Sequence, residues 1–232
     1  MSLTMTAAAI ADDDQRLVLN AISWCQYESV LLAFPEQAGL RITYLDGRLT
    51  LFSPQRRHEW HESTLGRLVG AVASGLGIEW EDAGHTTYRR EDVGGGVEGD
   101  QTFYFGVNAE TMRGPIDVDL STQPPPDLAI EVEVTHSADD SIAVWGRLGV
   151  PEVWRLDVDR WTLVMGVRQS DGRYTPASRS AIFPELTPDD VLSQLRLAAD
   201  LGTLHWYMQL DGWVRAVLLP RRGQQPTEEV RS

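Results

Sequence analysis

The chain has 232 residues, 42% of them apolar and 23% charged, proportions that exclude a disordered chain and allow a sizeable core. Its 20 basic and 34 acidic residues leave a net charge of −14, which argues against a domain whose task is to coat nucleic acid. The single cysteine, Cys25, excludes an intrachain disulfide and a thiolate metal site. All 20 basic residues are arginine, so no mechanism that needs a lysine operates here.

Residues 1–15 read as a flexible N-terminus that closes on Asp12, Asp13 and Asp14, unlike a secretory signal. The most apolar stretch, Leu68 to Ile78, is too short to span a bilayer, so the expectation is a cytoplasmic protein with no membrane partner. Trp24 to Phe34 suits a helix ending before Pro35. Leu40 to Leu45 and Arg48 to Phe52 flank Asp46-Gly47, a strong hairpin signal.

From His58 to Ser74, Leu65, Leu68, Val69 and Val72 recur at helical spacing, with Glu62 and His58 one and two turns ahead of Leu65. Ile78 to Trp80 and Thr86 to Arg90 read as strands, and Gly94-Gly95-Gly96 as a turn. Val97 to Phe105 reads as one strand with Glu98, Asp100, Thr102 and Tyr104 on one side. A loop from Val107 to Pro126 is expected next.

Asp127 to Val134 is the most informative segment. Alternation gives a strand with Leu128, Ile130, Val132 and Val134 on one face and Asp127, Ala129, Glu131 and Glu133 on the other. Asp139 to Leu148 suits a short helix stopped by Gly149 and Pro151. Val153 to Leu156 and Trp161 to Val167 suit a hairpin. Thr187-Pro188-Asp189-Asp190 has the cap, first-turn proline and acidic turn of a helix start, with the helix running to Ala199. His205 to Leu219 is open between helix and hairpin because of Asp211-Gly212. These elements make one domain over residues 16–219, followed by a flexible tail over 220–232.

Asp100 and Glu131 lie on strands joined by a closed loop, and if the strands pair their carboxylates converge. Convergent carboxylates repel unless they are protonated or hold a cation, and hard oxygen ligands suit Mg²⁺ or Mn²⁺. Metal-assisted phosphodiester hydrolysis is the common use of such a cluster. Asp127 stands four residues from Glu131, roughly 13 Å along a strand, which makes it a secondary candidate.

His58, His61 and Glu62 share a helix face. The zincin pattern, however, needs histidines four apart, which leaves His58 or His61 as a phosphate contact. His136 reads as a surface histidine or a substitute acid–base group. Trp145 and Trp154 read as core residues, and the three glycines lack the setting of a phosphate-binding loop.

The run Arg41-Ile-Thr-Tyr-Leu-Asp-Gly-Arg-Leu49, with Ser53-Pro54 and His58-Glu59, resembles the Uma2 family, also described as the DUF820 restriction endonucleases. So do Thr86-Thr-Tyr-Arg-Arg90, Glu98-Gly-Asp-Gln-Thr-Phe-Tyr104 and Pro125-Pro-Asp-Leu-Ala-Ile-Glu131. Gly149-Val-Pro-Glu-Val-Trp-Arg155 and Phe183-Pro184 complete a set covering roughly residues 24 to 200. The resemblance implies an α/β (α+β) fold like the PD-(D/E)XK restriction endonucleases, with a mixed central β-sheet flanked by helices. It also implies a metal-dependent DNA endonuclease. Asp100 and Glu131 fall at the expected metal-ligand positions, with Asp127 close by and Glu59 or Glu62 from the preceding helix.

The departure is the lysine. The usual position two residues after Glu131 holds Glu133, and the alternative position, four before Trp145, holds Ser141. Arginine is a poor base. Two readings follow: Glu133 replaces the lysine in a catalytic set with Asp100 and Glu131, or the chain is a decayed member that binds DNA or a protein without cutting. Cutting both strands of a duplex would favour a homodimer.

Overall fold

The computed structural model describes residues 15–34, 39–114 and 118–223. The described residues form eleven strands in two sheets, with helices packed on both sides of the larger sheet.

The smaller sheet is antiparallel and holds β1 (Gln15–Leu19), β2 (Arg41–Leu45), β3 (Arg48–Ser53), β5 (Thr87–Arg90) and β6 (Gly95–Glu98), in the order β1-β3-β2-β6-β5. The expected hairpin is present, with Asp46 and Gly47 both at positive φ. Helix α1 (Trp24–Ala33) packs Tyr27 onto this sheet, starting from the reciprocal cap of Ser23 and Gln26.

The larger sheet runs β11-β10-β9-β8-β7-β4. Its members are β4 (Trp80–Asp82), β7 (Gln101–Phe105), β8 (Leu128–Glu133), β9 (Glu152–Asp157), β10 (Thr162–Arg168) and β11 (Tyr174–Ala177). Among the described residues only β8 and β9 pair in parallel, and the helix α4 (Asp139–Leu148) makes the crossover between them. This is the mixed sheet flanked by helices that the family resemblance implied.

Every residue of β8 is buried. Leu128, Ile130 and Val132 face α2 (Arg56–Leu76) through Leu65, Leu68, Val69 and Val72. Behind them lie Val191 and Leu195 of α5 (Pro188–Leu201). Ala129, on the opposite face, meets Val144 and Trp145 of α4. A strand covered on both faces has no solvated side, so any carboxylate on it is half-desolvated from the start. Among the described residues, no helix is long and apolar enough to cross a membrane.

Several expectations need correction. Val97 to Phe105 is not one strand: it breaks at Gly99-Asp100, where the chain leaves β6 of one sheet and enters β7 of the other. Of the three glycines only Gly94 makes the turn, at φ 61°. Gly95 and Gly96 are strand residues, bare because Val144 and the Tyr27 hydroxyl press where a Cβ would stand. The expected loop after Val107 opens with a short helix, α3 (Val107–Thr111).

His205 to Leu219 is helical. It comprises α6 (Thr203–Trp213), a π-helical stretch Val214–Leu218 and the start of α7 (Leu219–Arg222). Gln15, given to the loose N-terminus, begins β1 opposite Ser53. Pro220 to Arg222, given to the tail, belong to α7. Gly223 follows as a turn residue, and residues 1–14 and 224–232 of the expected loose ends lie outside the described residues.

Candidate metal centre

The break between the sheets builds the site. Gln101 pairs with Ile130 across β7 and β8, so Asp100, one step back, comes level with Glu131. Its Oδ2 accepts the Val132 amide at 2.7 Å, which fixes the carboxylate against β8. Gly99 precedes it because a Cβ there would stand 2.6 Å from the Trp145 ring.

Helix α2 brings His58 and Glu62, one turn apart and both buried, to the same place. Ligand atoms of His58, Glu62 and Asp100 lie within 4.8 Å of one another. His58 Nε2 is 2.9 Å from the Val132 carbonyl and 3.2 Å from Asp100 Oδ2. A carbonyl only accepts, so Nε2 carries a proton. In the neutral ring the lone pair then sits on Nδ1, 3.8 Å from Glu62 Oε2. A metal-ligating histidine commonly donates its other ring N–H to a carbonyl in this way.

Glu62 also receives Gln101 Nε2 at 3.3 Å and Arg41 Nη2 at 3.3 Å, and His85 Nε2 stands 3.2 Å away. Even so, burial, and after it the Asp100 charge, pushes its carboxyl up to about 8. Glu131 is driven well above the ordinary carboxylate range by burial first and Asp100 second. Trp145 Nε1, donating to its Oε1 at 2.6 Å, opposes the shift. Carboxyls pushed up together by shared burial and mutual repulsion are what a bound cation relieves.

One imidazole nitrogen and two or three carboxylates make a donor set that fits a divalent ion of the Mn²⁺ or Mg²⁺ kind. Arg41, Asp100, Glu131 and His58 line a cavity of about 60 Å³ together with Arg16, Thr43, Glu98, His136 and Ser141. That volume has room for an ion and a few waters but not for a nucleotide, so a large substrate would meet the site at its mouth.

The other candidates named from the sequence fall elsewhere. Asp127 is at the opposite end of β8, where it accepts the Phe105 amide at 2.7 Å and Asn108 Nδ2 at 2.8 Å. Strand rise alone carries it out of reach. Glu59 follows His58 on α2 but turns outward, with a 43% exposed side chain, and touches the cluster only through Arg41 at 3.5 Å.

Glu133 shares the strand face of Glu131, yet Arg155 takes its carboxylate at 2.8 and 2.9 Å and the Ala138 amide caps it. It is thereby held at the start of α4, away from His58, Glu62 and Asp100, and the stand-in role expected for it finds no geometric support. His61 hydrogen-bonds back to the Arg57 carbonyl at 2.7 Å. Ser141, at the second lysine position, lies against Thr43 Oγ1 at 3.3 Å.

Arg41 and the tautomer of His58 were not foreseen as parts of the centre. No local spacing signals either one. Arg41 arrives from β2 of the other sheet, and the acceptor that orients His58 is a backbone carbonyl on β8.

A sequence-family match accompanies this geometry. The Uma2 family, described as "putative restriction endonuclease", matches residues 25–200, and the chain belongs to that family. No curated protein matches the chain. A solved structure described as a putative nuclease belonging to DUF820, from Anabaena variabilis, is 16% identical. It aligns over 71% of this chain and 96% of its own, with a TM-score of 0.49.

Proposed function

We propose that this Uma2-family chain is a divalent-metal-dependent DNA nuclease that hydrolyses phosphodiester bonds. Glu62, Asp100 and His58 Nδ1 are the ligands and Glu131 stands beside them. The observation that carries this reading is the buried convergence of His58, Glu62 and Asp100 at the break between the sheets. A nitrogen donor in the set favours Mn²⁺ over Mg²⁺. When bound, the ion would lower the pKa of an attacking water and offset charge on the phosphate oxygens.

The chain's own residues supply the rest. Asp100 stays aligned through the Val132 amide, and His58 through the Val132 carbonyl. Glu131, buried and held by Trp145, is the proton acceptor for the attacking water in place of a lysine. Arg16 and Arg41, the cavity's two arginines, would meet the phosphate at its mouth. A cut through both strands needs two such sites, which is the ground for proposing a homodimer.

One observation favours a second reading, a DNA- or protein-binding module that no longer cuts: Glu133, at the lysine position, is locked by Arg155. Calorimetric titration of Mn²⁺ and Mg²⁺ into the protein and into Asp100→Asn, with plasmid nicking on the same samples, separates the two. The nuclease reading expects binding and nicking that Asp100→Asn abolishes. Binding without nicking selects the module, and equal behaviour of the two proteins rejects the site.

A further inference from the structure

Arg41 places its guanidinium inside the carboxylate group. Nη2 lies 3.3 Å from Glu62 Oε2 and 3.5 Å from Glu59 Oε1, and Nε lies 3.9 Å from Asp100 Oδ1. The side chain is only 8% exposed, and Nη2 also stands 3.2 Å from His85 Nε2.

No contact here is a fork. Arg147, by contrast, grips Asp46 with both terminal nitrogens, at 2.8 and 2.6 Å. Arg41 makes a single 3.3 Å hydrogen bond to Glu62, spreads the rest of its charge over Glu59 and Asp100 at 3.5 and 3.9 Å, and its Nε has no hydrogen-bond acceptor among the described residues. Buried guanidinium groups ordinarily persist because they are closely paired and hydrogen-bonded. Beyond its one-armed contacts with Glu62 and His85, what holds this one is the summed field of the acids, the same field that would hold a divalent ion.

We propose that Arg41 is a built-in counter-ion of the metal centre. It keeps Glu59, Glu62 and Asp100 assembled when no divalent ion is bound, and it competes with the ion for their charge. The inference rests on the metal reading given above and extends it: the ion enters only as the guanidinium leaves. The path outward leads to the cavity that Arg16 also lines.

The test compares the full chain with Arg41→Gln by Mn²⁺ calorimetry and by thermal melting in EDTA. Arg41→Gln is expected to bind Mn²⁺ at least about tenfold more tightly, because a competing positive charge has left the group. In EDTA it should melt at a lower temperature than the parent. Equal or weaker Mn²⁺ binding by the variant overturns the competition.

Loss of stability alone would also follow from a merely structural role, so Arg41→Gln/Glu62→Gln decides that point. Removing charge and counter-charge together should restore stability in EDTA, including where Arg41→Gln by itself does not fold. A double variant no more stable than Arg41→Gln overturns the counter-ion role. If neither parent nor variant takes up Mn²⁺, the metal reading falls and the competition with it. The EDTA melts then decide the counter-ion role by themselves.

Discussion

Strand β8 has a carboxylate just before its first residue and others near its far end, and the molecule treats the two ends in opposite ways. Asp127 is answered on the spot by a backbone amide and an asparagine amide. Glu131 meets one indole N–H and the like charge of Asp100, with Glu62 crowded in beside that charge. The first arrangement completes the hydrogen bonding of a strand start. The second concentrates negative charge in a desolvated place and leaves it in need of a cation. Acidity on a strand is therefore a poor guide to a site; the balance of donors against acceptors around each acid is a better one.

The sharpest way to break this comparison is through pH. The carboxyl of Glu62 is raised from 4.5 to about 8 in the folded chain. Above pH 4.5 the unfolded chain releases that proton while the folded chain keeps it until about pH 8. The contribution of Glu62 to metal-free stability is therefore full below pH 4.5 and is lost as pH rises to about 8. Melting in EDTA should show the decline, and Glu62→Gln should flatten it. Saturating Mn²⁺ should reverse the slope, since the ion binds only the deprotonated group. A parent protein whose EDTA melting temperature does not fall across the window would mean the acids are satisfied as they stand.

A smaller effect is expected at Trp145→Phe. This keeps the ring packing against Tyr88 but removes the donor to Glu131 Oε1. A buried acceptor left without its partner costs about 1–3 kcal/mol, readable by denaturant unfolding.

The smallest effect is expected at the other end of the strand. Asp127→Ala strips the acceptor from the Phe105 amide and from Asn108, in a position that water can partly reach. The expected loss is about 1 kcal/mol, with Mn²⁺ affinity unchanged in the same calorimetry. A fall in Mn²⁺ affinity there would merge the two ends into one site.

The parts of this fold that could be read from sequence are those written in short-range chemistry. Thr187 caps α5 because its own hydroxyl reaches the Asp190 amide, and Asp46-Gly47 turns the hairpin because both residues accept positive φ. The alternation in β8 and the helical spacing in α2 likewise carry their faces with them. Strands β1 and β11 were missed because their pairing partners, β3 and β10, supply what their own short sequences do not signal.

The centre divides along the same line. Asp100 and Glu131 could be named because pairing of their strands would bring the carboxylates together, and Glu62, as an alternative to Glu59, through the family resemblance. Asp127, a secondary candidate, and Glu133, the expected stand-in for lysine, could be set aside only once Asn108 and Arg155, distant in sequence, were placed. The break at Gly99 had no local marker except a glycine whose reason is the Trp145 ring, on an element that forms much later in the chain.

The position of Asp100 at the passage between the two sheets bears on how the protein acquires its chemistry during folding. The acids and His58 come from α2, from the junction before β7 and from β8, and Arg41 comes from β2. The alignment of Asp100 waits on Val132, and the indole that holds Glu131 arrives only with the crossover helix α4. Contacts so far apart in sequence close late. A nascent chain that has not yet made β8 and α4 therefore carries the acids without the arrangement, and truncation ahead of Val132 would leave Asp100 without the amide that aligns it.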